Sequence, residues 1–111
     1  MEEMSAVRTR FFSGGLIVDL SGPLCREAGD EVVRILQDLP VRPTRLVLNF
    51  THVGSIDAAG AGRVLAAVRI VTRAGGEATA YGLTEAVGQA CEELGLTRAV
   101  RLCPAEASAL R

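Results

Sequence analysis

The sequence predicts a single α/β domain: a mostly parallel sheet with one antiparallel edge strand and flanking helices, in the order β-β-α-β-α-β-α-β-α. Three observations carry this expectation. Two strand-like runs, "AVRTRFF" and "GLIVDLSG", flank the turn cluster Ser13-Gly14-Gly15, as in a hairpin. Strand-like runs then alternate with segments of helical periodicity, which implies right-handed crossovers between parallel strands. "LVLNF", Leu46 to Phe50, is apolar at nearly every position, the pattern of a strand covered on both faces. With 111 residues the chain has room for one core, and the domain is expected to occupy 1–111 with its body at about 6–110.

Each further element has its own signal. Ala28, Val32, Ile35, Leu36 and Leu39 recur at helical spacing until Pro40, which cannot continue a helix. Pro43 punctuates the linker that leads into "LVLNF". A second helix, expected from about Ala59 to Arg73 with Asp57 at or just before its start, buries Ala61, Val64, Leu65, Val68, Val71 and Thr72 and turns Arg63, Arg69 and Arg73 outward. Gly75-Gly76 is its left-handed stop. "EATAYGL" is a short strand, and Thr84 caps a helix carrying Val87, Ala90, Cys91 and Leu94 at positions i, i+3, i+4 and i+7. Gly95-Leu96 ends that helix, "AVRLC" is the last strand, and Pro104 suits the first turn of a terminal helix.

Composition narrows the function. Apolar residues make up 49% and charged residues 23%, a globular balance, and the formal net charge of -1 offers nucleic acid or anionic membrane no electrostatic footing. The opening "MEEMSAVRTR" lacks the apolar stretch of a secretory signal, and no segment approaches the roughly 18 apolar residues of a membrane span. Cys25, Cys91 and Cys103 are odd in number and far apart, and with one His they do not make a zinc set. Unpaired thiols in such a chain predict a reducing, cytoplasmic setting. No metal or cofactor is implied.

Ligand sites in open α/β sheets lie beyond the carboxyl ends of the strands. Two segments qualify, "SGPLCREAG" and "THVGSIDAAGAG". Neither contains GxGxxG or GxxxxGK[ST], so Gly60 and Gly62 are read as letting a helix start pack tightly. His52, Ser55 and Asp57 crowd into one loop, with no second histidine or carboxylate pair to make a catalytic constellation. His52 is expected to be an exposed loop residue. Asp57 before a helix has a structural task, accepting free N–H groups at the positive dipole end. Cys91 reads as a core residue and Cys25 as a loop thiol.

The stretch from "LVLNFTHVGSIDAAGAGRVL" through "GGEATAYGL" to "LGLTRAVRL" resembles the STAS domain, the fold of bacterial anti-sigma factor antagonists. It follows the family's progression of apolar strand, loop ending in Ile/Met-Asp-Ser/Thr-Ser-Gly-Leu-Gly, helix, Gly-Gly, strand, helix and Gly-Leu, and "LIVDLSGPL" is similar to the family's second strand and turn. The resemblance implies a non-enzymatic partner-switching module. A kinase-like anti-sigma factor phosphorylates the Ser/Thr after the aspartate, and the unmodified form binds that factor and frees a sigma factor for transcription. Here that position is Ala58, followed by Ala59, so no hydroxyl stands there to accept phosphate. Cys25 replaces an aspartate often found after Leu24, Ala61 a usual leucine, and Ser55 an often aromatic or aliphatic residue. The contacts implied for an anti-sigma factor are Cys25, Ser55, Asp57, Ala58, Ala59, Gly60 and Gly62. The alternative implied is an accessory or scaffold subunit of a transporter or multi-STAS assembly. The family's strand order is expected to place the fourth strand between the second and fifth, keeping Cys25 and Cys103 too far apart for a disulfide.

Overall fold

The computed structural model describes residues 4–111. The acidic opening Met1-Glu2-Glu3 lies outside the described residues. β1 (Ala6–Phe12) and β2 (Gly15–Ser21) form the hairpin, paired from Ala6↔Ser21 to Phe12↔Gly15. Gly14 turns it with a φ of 82°, a conformation a side chain would resist. β3 (Arg45–His52), β4 (Glu77–Tyr81) and β5 (Arg101–Cys103) add in parallel, giving the order β1-β2-β3-β4-β5.

Because each parallel strand lies beside its chain neighbour, every right-handed crossover steps in the same direction and lands on the same side. α1 (Arg26–Asp38), α2 (Ala58–Arg73) and α3 (Glu85–Glu93) therefore share one face of the sheet. Leu16, Val18, Leu20, Leu46, Leu48 and Phe50 alternate toward that face and meet Val32, Leu36, Val64, Val68 and Val87 in the main core. The other face carries Ile17, Val47 and Tyr81, against which the short α4 (Glu106–Ala109) places Ala109. Gly75 and Gly76 close α2 in a Schellman motif, donating to Thr72 and Val71 at 3.1 and 2.9 Å, with Gly75 at φ 90°.

Several expectations need correction. Thr72 is exposed; Ala67 takes its place on the buried face, which is centred on Val64 and Val71 and has rotated past Thr72 one residue later. Leu96–Arg98 form a 3-10 turn, so the last strand shortens to Arg101–Cys103. Pro104 precedes the N-cap Ala105 and stays outside α4. "LVLNF" is less evenly covered than its composition suggests: Val47 is buried on the second face, but Asn49 is only half-buried. Both β3 and β4, not β4 alone, stand between β2 and β5.

Candidate functional site

The site is built where the chain leaves β2 and β3 and enters α1 and α2. The two loops are stitched together by backbone. Gly22 N–H donates to His52 O at 3.0 Å, Leu24 N–H to Ser55 O at 2.8 Å, and Asp57 N–H back to Leu24 O at 3.3 Å, around an isolated parallel bridge Leu24↔Ile56. Leu24 and Val53 are buried beneath this seam and Ile56 packs on the core, so the loops are pinned from below. The N-termini of α1 and α2 consequently stand side by side.

Asp57 is the N-cap of α2, its Oδ1 accepting from Gly60 N–H at 2.7 Å. Its main-chain carbonyl accepts from Ala61 N–H at 2.9 Å. The carboxylate thus settles one free donor of the first turn and opposes the helix dipole, while the Ala58 and Ala59 amides remain its outward donors. Ser55, Asp57, Ala58, Ala59 and Gly62 are exposed together. Cys25, the N-cap of α1, is half-buried beside them, its Sγ 3.8 Å from Ser5 Oγ. His52, read as a loop residue, is the exposed last residue of β3.

Gly60 lets the start of α2 pack tightly, as its place in the sequence suggests, and it does so against the loop before α1. It is buried, and a Cβ there would lie 2.0 Å from Leu24 O, so it serves the close approach of α2 to the α1 loop. Gly62 differs: a Cβ there would meet nothing within 4 Å. The two glycines of "GAG" therefore have separate jobs, one internal and one facing outward.

Two depressions flank the loop. One, of about 400 Å³, is lined by Arg26, Ala58, Ala59, Gly62 and Arg63. The other, of about 200 Å³, lies between Gly54-Ser55-Ile56 and the α3 residues Ala86, Val87 and Ala90. Asp30 ties the first rim together, 3.0 Å from Arg63 Nε and 3.7 Å from Arg26 Nε. Arg63 is exposed, as are Arg69 and Arg73, in keeping with their expected outward placement, but through Asp30 it also links α2 to α1. Sequence reading overlooked Arg26 and Asp30, although their i,i+4 spacing at a helix start was a usable signal. Among the described residues no group of three or more His, Cys, Asp or Glu is arranged to hold a metal ion. No helix of the described residues is long and apolar enough to cross a membrane.

Away from this surface, Arg10 grips Asp19 through Nε and Nη2 at 2.6 and 2.8 Å, and Asn49 Nδ2 donates to the same carboxylate at 2.7 Å. Arg10, chiefly, holds the Asp19 carboxyl below its ordinary range. The three thiols are free. Burial pushes the Cys91 thiol up, as expected for a core residue.

Comparison with solved structures finds the same fold. The sulfate transporter family protein from Wolinella succinogenes is 20% identical with a TM-score of 0.81, covering 91% of this chain and 85% of its own. The anti-sigma factor antagonist SpoIIAA in its unphosphorylated form is 19% identical with a TM-score of 0.79, covering 95% and 93%. An anti-sigma factor antagonist from Mycobacterium paratuberculosis is 17% identical with a TM-score of 0.78, covering 96% and 92%. No curated protein sequence matches the chain. The STAS domain model matches residues 6–109, nearly the whole chain, and with the hairpin, the sequential sheet and the Asp57-capped α2 in place, this protein belongs to the STAS domain family.

Proposed function

We infer that this domain is a non-enzymatic anti-sigma factor antagonist that docks through the joined starts of α1 and α2 on a kinase-like anti-sigma factor, and that no phosphorylation at position 58 controls it. The observation that carries the reading is the surface made by Ser55, Asp57, Ala58, Ala59 and Gly62. It is exposed, its side chains are small, and it rests on a pinned double loop. Small side chains let a partner's backbone come close, and the pinning limits the ordering cost of association. SpoIIAA is known in both unphosphorylated and phosphorylated forms. A phosphate at a helix start adds close to two negative charges and can break a close interface by repulsion. Ala58 has no oxygen to carry one, so binding here is set by abundance or by another input.

The likeness to the Wolinella transporter-family protein and to the SulP transporter STAS domain from Vibrio cholerae favours a second reading, an accessory or scaffold subunit of a transporter or multi-STAS assembly. One experiment separates them. The tagged domain is used to capture partners from a native lysate, with and without ATP, and the partners are identified by mass spectrometry. An anti-sigma factor retained equally in both conditions is the expected result. Recovery of a transporter complex, or loss of the anti-sigma factor on adding ATP, overturns it.

A further inference from the structure

The second face of the sheet carries an apolar strip of Ile17, Val47 and Tyr81, edged by Phe12 and Cys103. Its cover among the described residues is α4 and the residue after it, through Ala109 and Leu110. A helix of four residues cannot sustain itself, because nucleation costs more than its few hydrogen bonds return. Its N-cap, Ala105, offers no side-chain bond, and Pro104 just before it donates no backbone N–H. α4 is therefore held in place by groups outside it.

Two arginines do the holding. Arg45 Nη1 donates to Leu110 O at 2.8 Å, and Nη2 to Ala109 O and Arg111 O at 2.6 Å each, while its guanidinium stands 5.4 Å above the Phe12 ring. At the other end Arg10 Nη2 faces Glu106 Oε1 at 2.7 Å. That oxygen is buried and, despite the nearby Arg10 guanidinium, lacks a hydrogen bond of good geometry. One end is well tied and the other carries a buried acceptor whose water has been removed without full replacement.

We propose that α4 is a strap that lifts from the sheet while the rest of the domain stays folded, uncovering Tyr81, Cys103 and the apolar strip. The main core on the far face contains no residue of α4, so lifting it leaves that packing intact. Opening then belongs to the low-stability end of the molecule's local unfolding events. Arg45 sets how often it happens, and Glu106 adds a smaller restraint.

The molecule contains its own reporters: Tyr81 is the single tyrosine, there is no tryptophan, and Cys103 lies at the strip's edge. Thiol labelling of the full chain, resolved by peptide mass spectrometry, is followed at several sub-denaturing urea concentrations. Cys103 is expected to label at a rate nearly independent of urea, whereas Cys91 follows global unfolding. Arg45→Gln should raise the Cys103 rate roughly tenfold and leave the Cys25 rate unchanged, with Arg45→Lys falling between. Ending the chain at Pro104 should change Tyr81 fluorescence while far-UV circular dichroism keeps the sheet signal. A Cys103 rate with the same urea dependence as Cys91, or one insensitive to Arg45→Gln, overturns the proposal. These two measurements on the intact chain decide the matter even if the shortened chain fails to fold.

Discussion

A Cβ placed on Gly60 would sit 2.0 Å from the carbonyl oxygen of Leu24, and that oxygen also accepts the Asp57 amide at 3.3 Å. The start of α2 and the loop before α1 thus meet backbone to backbone, with no flexible side chain to give way. Gly60→Ala is expected to destabilise the domain by at least about 2 kcal/mol, as overpacking does when the neighbour is main chain. Urea unfolding followed by far-UV circular dichroism checks this; a change under about 0.5 kcal/mol would refute the close approach.

Gly62, two residues on, is expected to behave in the opposite way. Its side is open, so Gly62→Ala should stabilise the fold by about 0.4–1 kcal/mol through the unfolded chain's lost freedom. If the exposed start of α2 is the docking surface, the same substitution weakens partner capture. More stability with less binding is a result that damage to the fold cannot mimic.

Asp57→Ala should cost about 0.5–2 kcal/mol, the usual value of a lost N-cap, and Asp57→Asn much less because its amide oxygen still accepts from Gly60 N–H. Thermal melts of the three proteins make the comparison. Equal losses for Ala and Asn would mean that charge, not capping, is what Asp57 supplies.

Ala58→Ser places a hydroxyl at the first residue of α2. Incubated with a cognate kinase and ATP, the native chain is expected to stay unmodified over residues 55–62 and the variant to gain phosphate at position 58. Ser55 and Thr51 lie before the helix, Ser55 in the loop and Thr51 in β3. Stoichiometric phosphate on either, located by mass spectrometry, would show a relocated switch.

Acid should weaken the protein partly through Asp19. Its carboxyl is held below the ordinary value of 3.8, first by the Arg10 hydrogen bond and also by Asn49. A carboxyl depressed by folding contributes stability above its unfolded value and loses it as pH falls through the folded one. The loss is therefore expected below about pH 4, and Asp19→Asn should flatten that limb of the stability–pH curve. An unchanged acid limb in the variant would assign the dependence to other carboxylates.

Much of this was legible in the sequence, for local reasons. Asp57, Thr84 and the Gly75-Gly76 pair act as cap and stop signals within a few residues of themselves, and all three work as expected. The hairpin and the alternation of strands and helices likewise depend on nearest neighbours in the chain. What was missed depends on long-range geometry. Gly60 and Gly62 look alike in "GAG", but only the approach of Leu24, 36 residues earlier in the chain, distinguishes them. Arg63 is exposed as expected, but its pairing with Asp30 depends on α1 packing beside α2. The helix expected from about Ala59 begins at Ala58, and the depression around that start takes its arginine rim from both helices.

The sequential strand order bears on how the molecule is made. In a sheet ordered β1-β2-β3-β4-β5, no strand is ever inserted between two earlier ones. The sheet can grow at one edge as the chain leaves the ribosome, each β-α-β unit closing on a surface already formed. At every stage one unpaired edge stays with β1 and the other belongs to the newest strand, so on the growing side the hazard of sticking to a neighbouring chain passes forward and ends at β5, whose three residues leave little edge to template on.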